Sequence, residues 1–481
     1  MTNNANGSAT PFSEPPREAD GRARSARLAV VGAGPAGLYA VESLLESASG
    51  VSVDVFDRLP TPYGLVRYGI APDNQKMKSV TRVLRNAFDR ESKVRFIGNV
   101  CFGVDISRTD LVKHYDAVIY ATGAQAERRL GIPGEDLPGS YGAKQFVDWY
   151  NGHPDAADRN FHLNVRQVAV VGAGNVALDV ARMLIRSPDE IASTDVPDRV
   201  LDTFRNSQIT DVHLIARRGP VQAKFTPVEL RGIGDLVNAD VVIRPEEVLV
   251  TDDDEIRISS NRELRTNVAM LREWARRPLQ GKARRIHIRF LRRPVRILGD
   301  NRVEGVLLES NEQLANEQVR GTGSLEALKV DMIFRSVGYQ ALRLPDVPFD
   351  EARSIIPHHQ GRVLDENGRS TDREYVTGWA KRGPSGTVGT NRSDSAETVC
   401  SLLADLAARG AYNGSKPEQI LTLLSNRRVD YTNWANWLQL DDHETELGRR
   451  QGRPRVKIPD LRSMLELSHH SNASGSADKT D

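Results

Sequence analysis

Cysteine is almost absent from this chain: its 481 residues include two, Cys101 and Cys400, and no C-x-x-C pair. The lack of a C-x-x-C pair argues against a dithiol relay, and an iron–sulfur cluster ligated from within the chain is excluded because too few thiolates exist. Both cysteines read as small buried hydrophobes. Long apolar runs are also missing, and none approaches the roughly 20 residues of a transmembrane helix. The net charge is +1, so there is no global excess of basic charge to argue for nucleic acid. Residues 1–26 lack the apolar stretch of a signal peptide, and Glu14, Glu18 and Asp20 argue against a transit peptide. They read as a disordered tail of a cytoplasmic protein. Residues 466–481, rich in Ser, Asn and Asp, read as a second tail. The chain as a whole is 39% hydrophobic and 27% charged, which suits a soluble globular protein of two domains, with three possible.

What the chain does have is two glycine-rich turns of nearly one design, 140 residues apart: Gly32-Ala33-Gly34-Pro35-Ala36-Gly37 and Gly172-Ala173-Gly174-Asn175-Val176-Ala177. The first follows an apolar run, Leu28 to Val31, and opens an apolar-periodic segment, Leu38 to Leu45. In this strand–turn–helix, Gly32 permits the tight turn and Gly34 lets the backbone approach a pyrophosphate. Gly37 allows close helix–strand packing, and the helix N-terminus faces the negative charge. The next apolar run, Val51 to Phe56, ends at Asp57, 20 residues past Gly37. A carboxylate there accepts from a ribose 2′-hydroxyl and repels a 2′-phosphate. A glycine turn in an ordinary α/β unit is the plainer alternative.

The second turn follows the run Val168 to Val171 and opens the segment Val176 to Ile185. Ala177 replaces the third glycine and sets helix and strand slightly further apart. The next strand, Val212 to Ile215, ends in Ala216-Arg217-Arg218-Gly219, so the acidic position has become basic. Arginine suits a 2′-phosphate by charge and by its forked donors, which points to NADP(H). A solvated arginine pair on a loop is the other reading.

Asp116 to Gly123 forms an apolar strand ending in glycine, and Met332 to Gly338 has the same form. The second dinucleotide unit lies between them. The expected architecture is α/β with two Rossmann-like dinucleotide-binding domains. The NADP domain, 128–344, is inserted into a discontinuous FAD domain, 27–127 and 345–465. A third glycine-rich stretch, Lys381 to Gly389, precedes a helix expected from about Ser395 to Leu406. Its N-terminus suits the pyrimidine edge of a flavin.

Seven blocks spread from about residue 28 to 465 then carry a family resemblance. They are DRLPTPYGLVRYGIAPDNQKMK from Asp57, GIPGEDLPGS from Gly131, VGAGNVALDVAR from Val171, ARRGPVQAKFTPVELR from Ala216, FRSVGY from Phe334, GWAKRGPSGTVGTN from Gly378 and GRPRVKI from Gly452. In these the chain resembles the adrenodoxin-reductase-like ferredoxin–NADP reductases. The resemblance implies FAD in the first site, NADPH in the second, and an acidic ferredoxin-like iron–sulfur protein as one-electron acceptor. It places FAD contacts at Ala36, Asp57, Leu65, Val100, Trp379, Gly386, Thr387 and Val388. It places NADP contacts at Ala173, Gly174, Asn175, Val176, Arg217, Arg218, Glu229 and again Gly386. No side chain is assigned as a catalytic acid or base, no metal is expected, and the resemblance favours a monomer.

Two positions depart from the family pattern. Asn74 stands where many members have histidine, and Gly232 where many have glutamate. In the family both lie near the nicotinamide, so looser nicotinamide placement is expected here, with hydride transfer preserved because it depends on geometry more than on proton chemistry. A basic stretch, 272–296, holds ten Lys or Arg against one acid, Glu273. It suits docking of an acidic partner near Arg276, Arg277, Arg284 and Arg285. The alternation of Ile286, Ile288 and Phe290 against His287 and Arg289 marks a strand there, and a solvated strand face is the alternative. The rival functions are an NADPH-binding flavoprotein sensor, a flavin monooxygenase, and a glutamate-synthase-type electron-feeding subunit, the last of which would want more cysteines.

Overall fold

The computed structural model describes residues 26–469, apart from 49, 89–91, 315–317 and 410–415. The tail expected at the N-terminus therefore lies outside the described residues, except for Ala26. That residue pairs with Val51 in the first strand ladder.

The chain begins with β1 (Ala26–Val31), α1 (Pro35–Ser47) and β2 (Val51–Phe56), followed by β3 (Val94–Ile97) and β4 (Ala117–Tyr120). All pairings among these strands are parallel, with β1 between β2 and β4. Residues 28–31 form an unbroken apolar run because both faces of β1 are covered. Leu28 and Val30 pack into the core on the α1 side, and Ala29 and Val31 into the core on the other. Pro35 opens α1 at a position whose N–H would have no helical partner.

The chain then passes through β5 (Ala126–Glu127) into a second unit. Its elements are β6 (Ser140–Gly142), β7 (Gln167–Val171), α2 (Asn175–Ile185), β8 (Asp211–Ile215), β9 (Ala239–Val242), β10 (Arg284–Arg289), β11 (Arg292–Leu298), β12 (Gly305–Gln313), β13 (Val319–Lys329) and β14 (Met332–Arg335). Six of these strands form a parallel sheet in the order β6-β14-β7-β8-β10-β9. β11, β12 and β13 form a separate antiparallel sheet. It covers the face of the parallel sheet that carries Ala169, Val171, Ile215 and Ile333. The return strand β15 (Tyr339–Gln340) pairs antiparallel with β5, so the chain leaves and re-enters the first unit through one two-stranded ladder.

β16 (His358–His359), β17 (Arg362–Leu364) and β18 (Ser370–Val376) complete the first sheet, in the order β16-β17-β18-β4-β1-β2-β3. The long helix α3 (Thr390–Arg409) follows. It begins five residues before the expected Ser395, because the Thr390 hydroxyl takes up the Thr387 N–H (3.1 Å) and starts the helix there. At the other end, residues 466–469 are not a tail. They complete the helix Leu461–His469, where Leu467 packs on the core, Ser468 is buried and His469 meets Asp430 at 3.1 Å. Cys400 is exposed on α3 and Cys101 is half-buried, so neither is the buried hydrophobe expected. Among the described residues no helix is long and apolar enough to cross a membrane.

Buried ion pairs join the two units. The Lys78 ammonium donates to both oxygens of Asp195 (2.7 Å each), and Lys457 reaches the same carboxylate at 3.1 Å. Lys457 also donates to the Arg67 carbonyl (2.9 Å) and to the Asn151 side chain (3.2 Å). Burial pushes the Lys457 pKa far down. Asp195 is held low by its two lysines against the opposing effect of burial. Nearby, Arg67 pairs with Glu444 at 2.5 Å, and Glu444 also takes Arg455 at 3.2 Å. Asp73, between the short helices Leu65–Tyr68 and Gln75–Lys78, accepts from Arg182 (2.6 and 3.0 Å) and Arg186 (2.6 Å) at the C-terminal end of α2. Breaking one partner of such a pair costs on the order of 3–5 kcal/mol, because the other charge is left buried.

His213 and His287 stack on neighbouring strands β8 and β10 with centroids 4.4 Å apart. His287 bonds Asp211 at 2.8 Å and His213 bonds Gln167 at 2.9 Å. Burial, and after it His287, pulls the His213 pKa down to about 3. The unfolded chain therefore binds this proton at a higher pH than the folded chain. The stabilising contribution is full above the ordinary histidine value of 6.5 and is lost as pH falls below it, towards about 3. The slope is at most ~1.4 kcal/mol per pH unit for this one group. Urea unfolding at about pH 7.5 and about pH 5.5 should show lower stability at the acid value, and His213→Gln should shrink the difference.

Candidate functional site

Both glycine turns sit at the C-terminal ends of central parallel strands, β1 and β7, where the strand order reverses and a crevice opens. They face one another across a single cavity of about 1590 Å³. Of the cofactor-binding residues expected from the sequence, all but Gly37 and Glu229 line it.

Within each turn the glycines divide their work. A Cβ on Gly37 would sit 2.0 Å from the Gly32 carbonyl oxygen, so this glycine serves helix–strand packing behind the cavity wall. A Cβ on Gly34 would meet nothing nearer than the Gly64 Cα at 3.9 Å, and one on Gly174 nothing within 4 Å. Nothing in the protein forbids a side chain at those two points. The space beside them is cavity at a helix N-terminus, and it fits a pyrophosphate. Ala177 is fully buried in the position corresponding to Gly37, which shows that the second turn accommodates a methyl there.

Asp57 serves the first turn in two ways. Its carboxylate accepts from the Ala33 N–H (2.8 Å) and the Leu59 N–H (3.0 Å), which braces the turn from below. It also lines the cavity, where a ribose hydroxyl would find it. Burial raises its pKa, although the two backbone donors and Arg58 oppose that. The loop Tyr63-Gly64 folds over the turn, with the Tyr63 N–H on the Ala33 carbonyl at 2.8 Å.

The third glycine stretch lies on the same cavity. Because α3 starts at Thr390, its own first turn reaches the wall through Asn391, and Val388 lines the cavity just before it. Asp394 accepts from the Gly378 N–H (2.6 Å) and the Thr377 hydroxyl (3.0 Å), and Ser395 donates to the Ala36 carbonyl (2.8 Å). The last of these ties α3 to the first turn of α1, and the other two tie it to the end of β18. Trp379 donates from its indole N–H to the Ser385 carbonyl (3.1 Å) and stacks on Tyr339 at 5.9 Å and 25°. Both rings line the cavity. Tyr339 was not legible as a site residue, because its partner Trp379 is distant in sequence. Gly386 has φ +82°, and a Cβ there would strike the Thr390 side chain at 2.7 Å.

Arg217 and Arg218 follow β8 directly. Their loop is held by the Asn311 amide on the Arg217 carbonyl (2.8 Å) and the Leu291 N–H on the Arg218 carbonyl (3.2 Å). No carboxylate among the described residues pairs with either guanidinium, so both remain available to a phosphate.

Glu229 is elsewhere. It is buried behind the wall, takes the Asn74 amide at 3.0 Å and lies 3.4 Å from Arg182. Asn74 and Gly232 do not line the cavity either. Asn74 is spent on Glu229 and on capping the short helix Gln75–Lys78. Asp179 shares Arg182 with Asp73 and Glu229. Burial and the two acids push its carboxyl up to about 7 against the pull of Arg182.

The basic stretch resolves unevenly. Arg289 is buried and held by Glu326 at 2.7 and 3.0 Å, because the antiparallel sheet covers its face of β10. This rules out the alternative of a solvated strand face for Arg289. Arg284 caps the end of α2 through the Ile185 carbonyl (2.6 Å) and the Arg186 carbonyl (2.9 Å). Arg276, Arg277 and Arg285 are exposed.

Two glycine turns on parallel strands, opening on one cavity and followed by an acid in one case and two arginines in the other, define a two-dinucleotide oxidoreductase. The family model described as pyridine nucleotide-disulphide oxidoreductase matches residues 26–245. NADPH-ferredoxin reductase FprA of Mycobacterium leprae is 40% identical over 454 residues, spanning 92% of this chain and 98% of that protein. The mitochondrial NADPH:adrenodoxin oxidoreductase of Arabidopsis thaliana is 37% identical, over 92% of this chain and 95% of that one. The solved structure of Mycobacterium tuberculosis FprA in complex with NADPH superimposes with a TM-score of 0.87 at 40% identity, covering 92% of this chain and all of that one. The chain belongs to the family of NADPH-ferredoxin and adrenodoxin reductases.

The arginine pair carries a direct prediction. Arg217→Ala and Arg218→Ala should each weaken NADPH about 10- to 100-fold, the range for a lost hydrogen bond to a charged group, and leave NADH within about twofold. Titration of flavin absorbance with each nucleotide reads both.

Proposed function

We infer that this protein is an NADPH-dependent flavoprotein reductase that passes electrons singly from NADPH through FAD to a ferredoxin-like iron–sulfur protein. The observation that carries this is the one cavity, walled by both glycine turns and by Arg217 and Arg218. Bound flavin supplies the conversion between a two-electron hydride donor and one-electron acceptors. The chain supplies the holding and the orientation. The first turn and the α1 N-terminus hold the FAD pyrophosphate, and Asp57 takes a ribose hydroxyl. Leu65, Val100 and Trp379 wall the flavin. The second turn and α2 hold the NADP(H) pyrophosphate, and the two arginines select the 2′-phosphate. Gly386, Thr387 and Val388 close the space between the two cofactors.

No side chain is assigned a proton-transfer role, because hydride transfer needs orientation first. With two free cysteines and no dithiol pair, electrons leave directly to an external carrier. We assign the FAD domain to 27–127 and 345–465 and the NADP domain to 128–344, acting as a monomer in the cytoplasm. The two-stranded β5–β15 ladder supports that division.

Anaerobic stopped-flow mixing tests the reading. NADPH should bleach the bound flavin rapidly and NADH much more slowly. A protein that is yellow but not bleached by NADPH would instead be a sensor, and equal bleaching by both nucleotides would remove the 2′-phosphate argument.

For the partner, we place docking at Arg276 and Arg277, which are exposed and unpaired among the described residues, with Arg285 beside them. Arg284 contributes as a brace of α2. Leu279 and Val237, both exposed, lie on the two loops that Asp240 and Lys282 tie together, and they offer an apolar centre. Reversing the charge with Arg276→Glu and Arg277→Glu should raise the KM for an acidic ferredoxin about tenfold or more at low salt and flatten its salt dependence. Flavin reduction by NADPH should be unchanged.

A further inference from the structure

The cations on the cavity wall fall into two groups. Arg58, Arg129, Lys144, Arg293, Arg343 and Arg382 each have a carboxylate within 4.0 Å. Arg128, Arg217, Arg218, Lys224 and Arg353 have none among the described residues. Arg217 and Arg218 are accounted for by the 2′-phosphate. Lys224 has no such assignment, and its backbone sits on the second glycine turn. The Lys224 N–H donates to the Ala173 carbonyl at 2.7 Å, and Lys224 pairs in a parallel bridge with Gly174. Two residues on, the Thr226 N–H donates to the Asn175 side chain at 2.9 Å, at the first residue of α2. The segment 224–226 is therefore laced to the turn and to the start of the helix. Lys224 itself is exposed within the cavity wall, beside the open space at Gly174.

We propose that Lys224 is a nicotinamide-dinucleotide-binding residue whose ammonium pairs with the pyrophosphate of NADP(H), separate in role from the arginines that take the 2′-phosphate. The inference rests on the reading of the second turn as the NADP(H) site. Its basis is position. Arg217 and Arg218 leave the end of β8 and are braced by Asn311 and Leu291. Lys224 is fixed to Ala173 and Gly174, where a pyrophosphate meets a helix N-terminus. A helix terminus supplies only about half an elementary charge. A pyrophosphate carries about two, so a full cation beside it makes up part of the difference. Lysine suits this as a compact point charge on a flexible stem, where no fixed fork is needed.

The roles separate by which nucleotide suffers. Lys224→Met should weaken NADPH and NADH by the same factor, about tenfold or ~1.4 kcal/mol, in flavin-reduction and equilibrium titrations. The NADPH/NADH preference should stay as it was, and Lys224→Arg should recover most of the loss. Binding of 2′-AMP, which carries the 2′-phosphate but no pyrophosphate, should not change. Loss confined to NADPH and 2′-AMP would move Lys224 to the 2′-phosphate and overturn the proposal. No loss with any nucleotide would make it a solvated cation and overturn it equally. Failure of the unaltered protein to bind NADPH would remove the underlying reading together with the proposal. Normal binding by the unaltered protein with an unaffected Lys224→Met would remove the proposal alone.

Discussion

Asp195 takes an ammonium group from Lys78 in the first unit and another from Lys457 in the C-terminal segment, in a site closed to water. A buried carboxylate with two lysines is poorly tolerant of separation, because moving any one partner away strands charge in a medium that cannot solvate it. The pairs from Asp73 to Arg182 and Arg186 repeat the constraint on the other side of the joint. Everything at the cavity depends on this joint. Each unit carries one glycine turn, and neither turn is useful unless the two helix N-termini point into one space. The segment Arg453 to Lys457 works as a strap, reaching Val196 and Asp198 in the second unit and Arg67 in the first.

Inside the cavity the same electrostatic logic runs the other way. Where the protein wants a cation immobile, it supplies a carboxylate, as for Arg382 on Asp394 and Arg58 on Asp155. Among the described residues, the cations that it leaves without a carboxylate include Arg217, Arg218 and Lys224, for which we propose the phosphates of a dinucleotide as partners. The open space at Gly34 and Gly174 makes the same distinction for the backbone. The glycines that the protein needs for packing are Gly32, Gly37 and Gly172, whose added Cβ atoms would lie 2.5, 2.0 and 2.2 Å from a carbonyl oxygen. Those facing the ligand are glycine for the ligand's sake.

The family model that the chain matches is described by a disulphide chemistry, yet both cysteines here are free, one half-buried on the cavity wall and one exposed on α3. The fold is that of a two-dinucleotide reductase, and the acceptor of its electrons lies outside the chain.

By itself the sequence determined the local units. A strand, a glycine turn and a helix are encoded by contiguous residues, so β1–α1–β2 and β7–α2–β8 were legible. So was the choice of cofactor, read from Asp57 in one unit and Arg217-Arg218 in the other, each within a few residues of the end of a strand. Short-range chemistry also set the limits of that reading. The start of α3 was misplaced by five residues because a single threonine hydroxyl begins it, and the last four residues of the C-terminal helix were taken for a tail because their polar composition hides the burial of Leu467 and Ser468. Only the tertiary structure decided what each charge does. Arg289 and Arg284 look like their neighbours Arg276 and Arg277 in sequence. One is covered by a sheet that folds back from 292–329, and the other is spent on the end of a helix a hundred residues away. Glu229 turns from the cavity to Asn74 and Arg182, and Lys224 has no carboxylate partner among the described residues at a turn fifty residues before it. Whether a charge is free or paired depends on which carboxylates the fold brings within about 4 Å, and that is a property of long-range contact that no local pattern records.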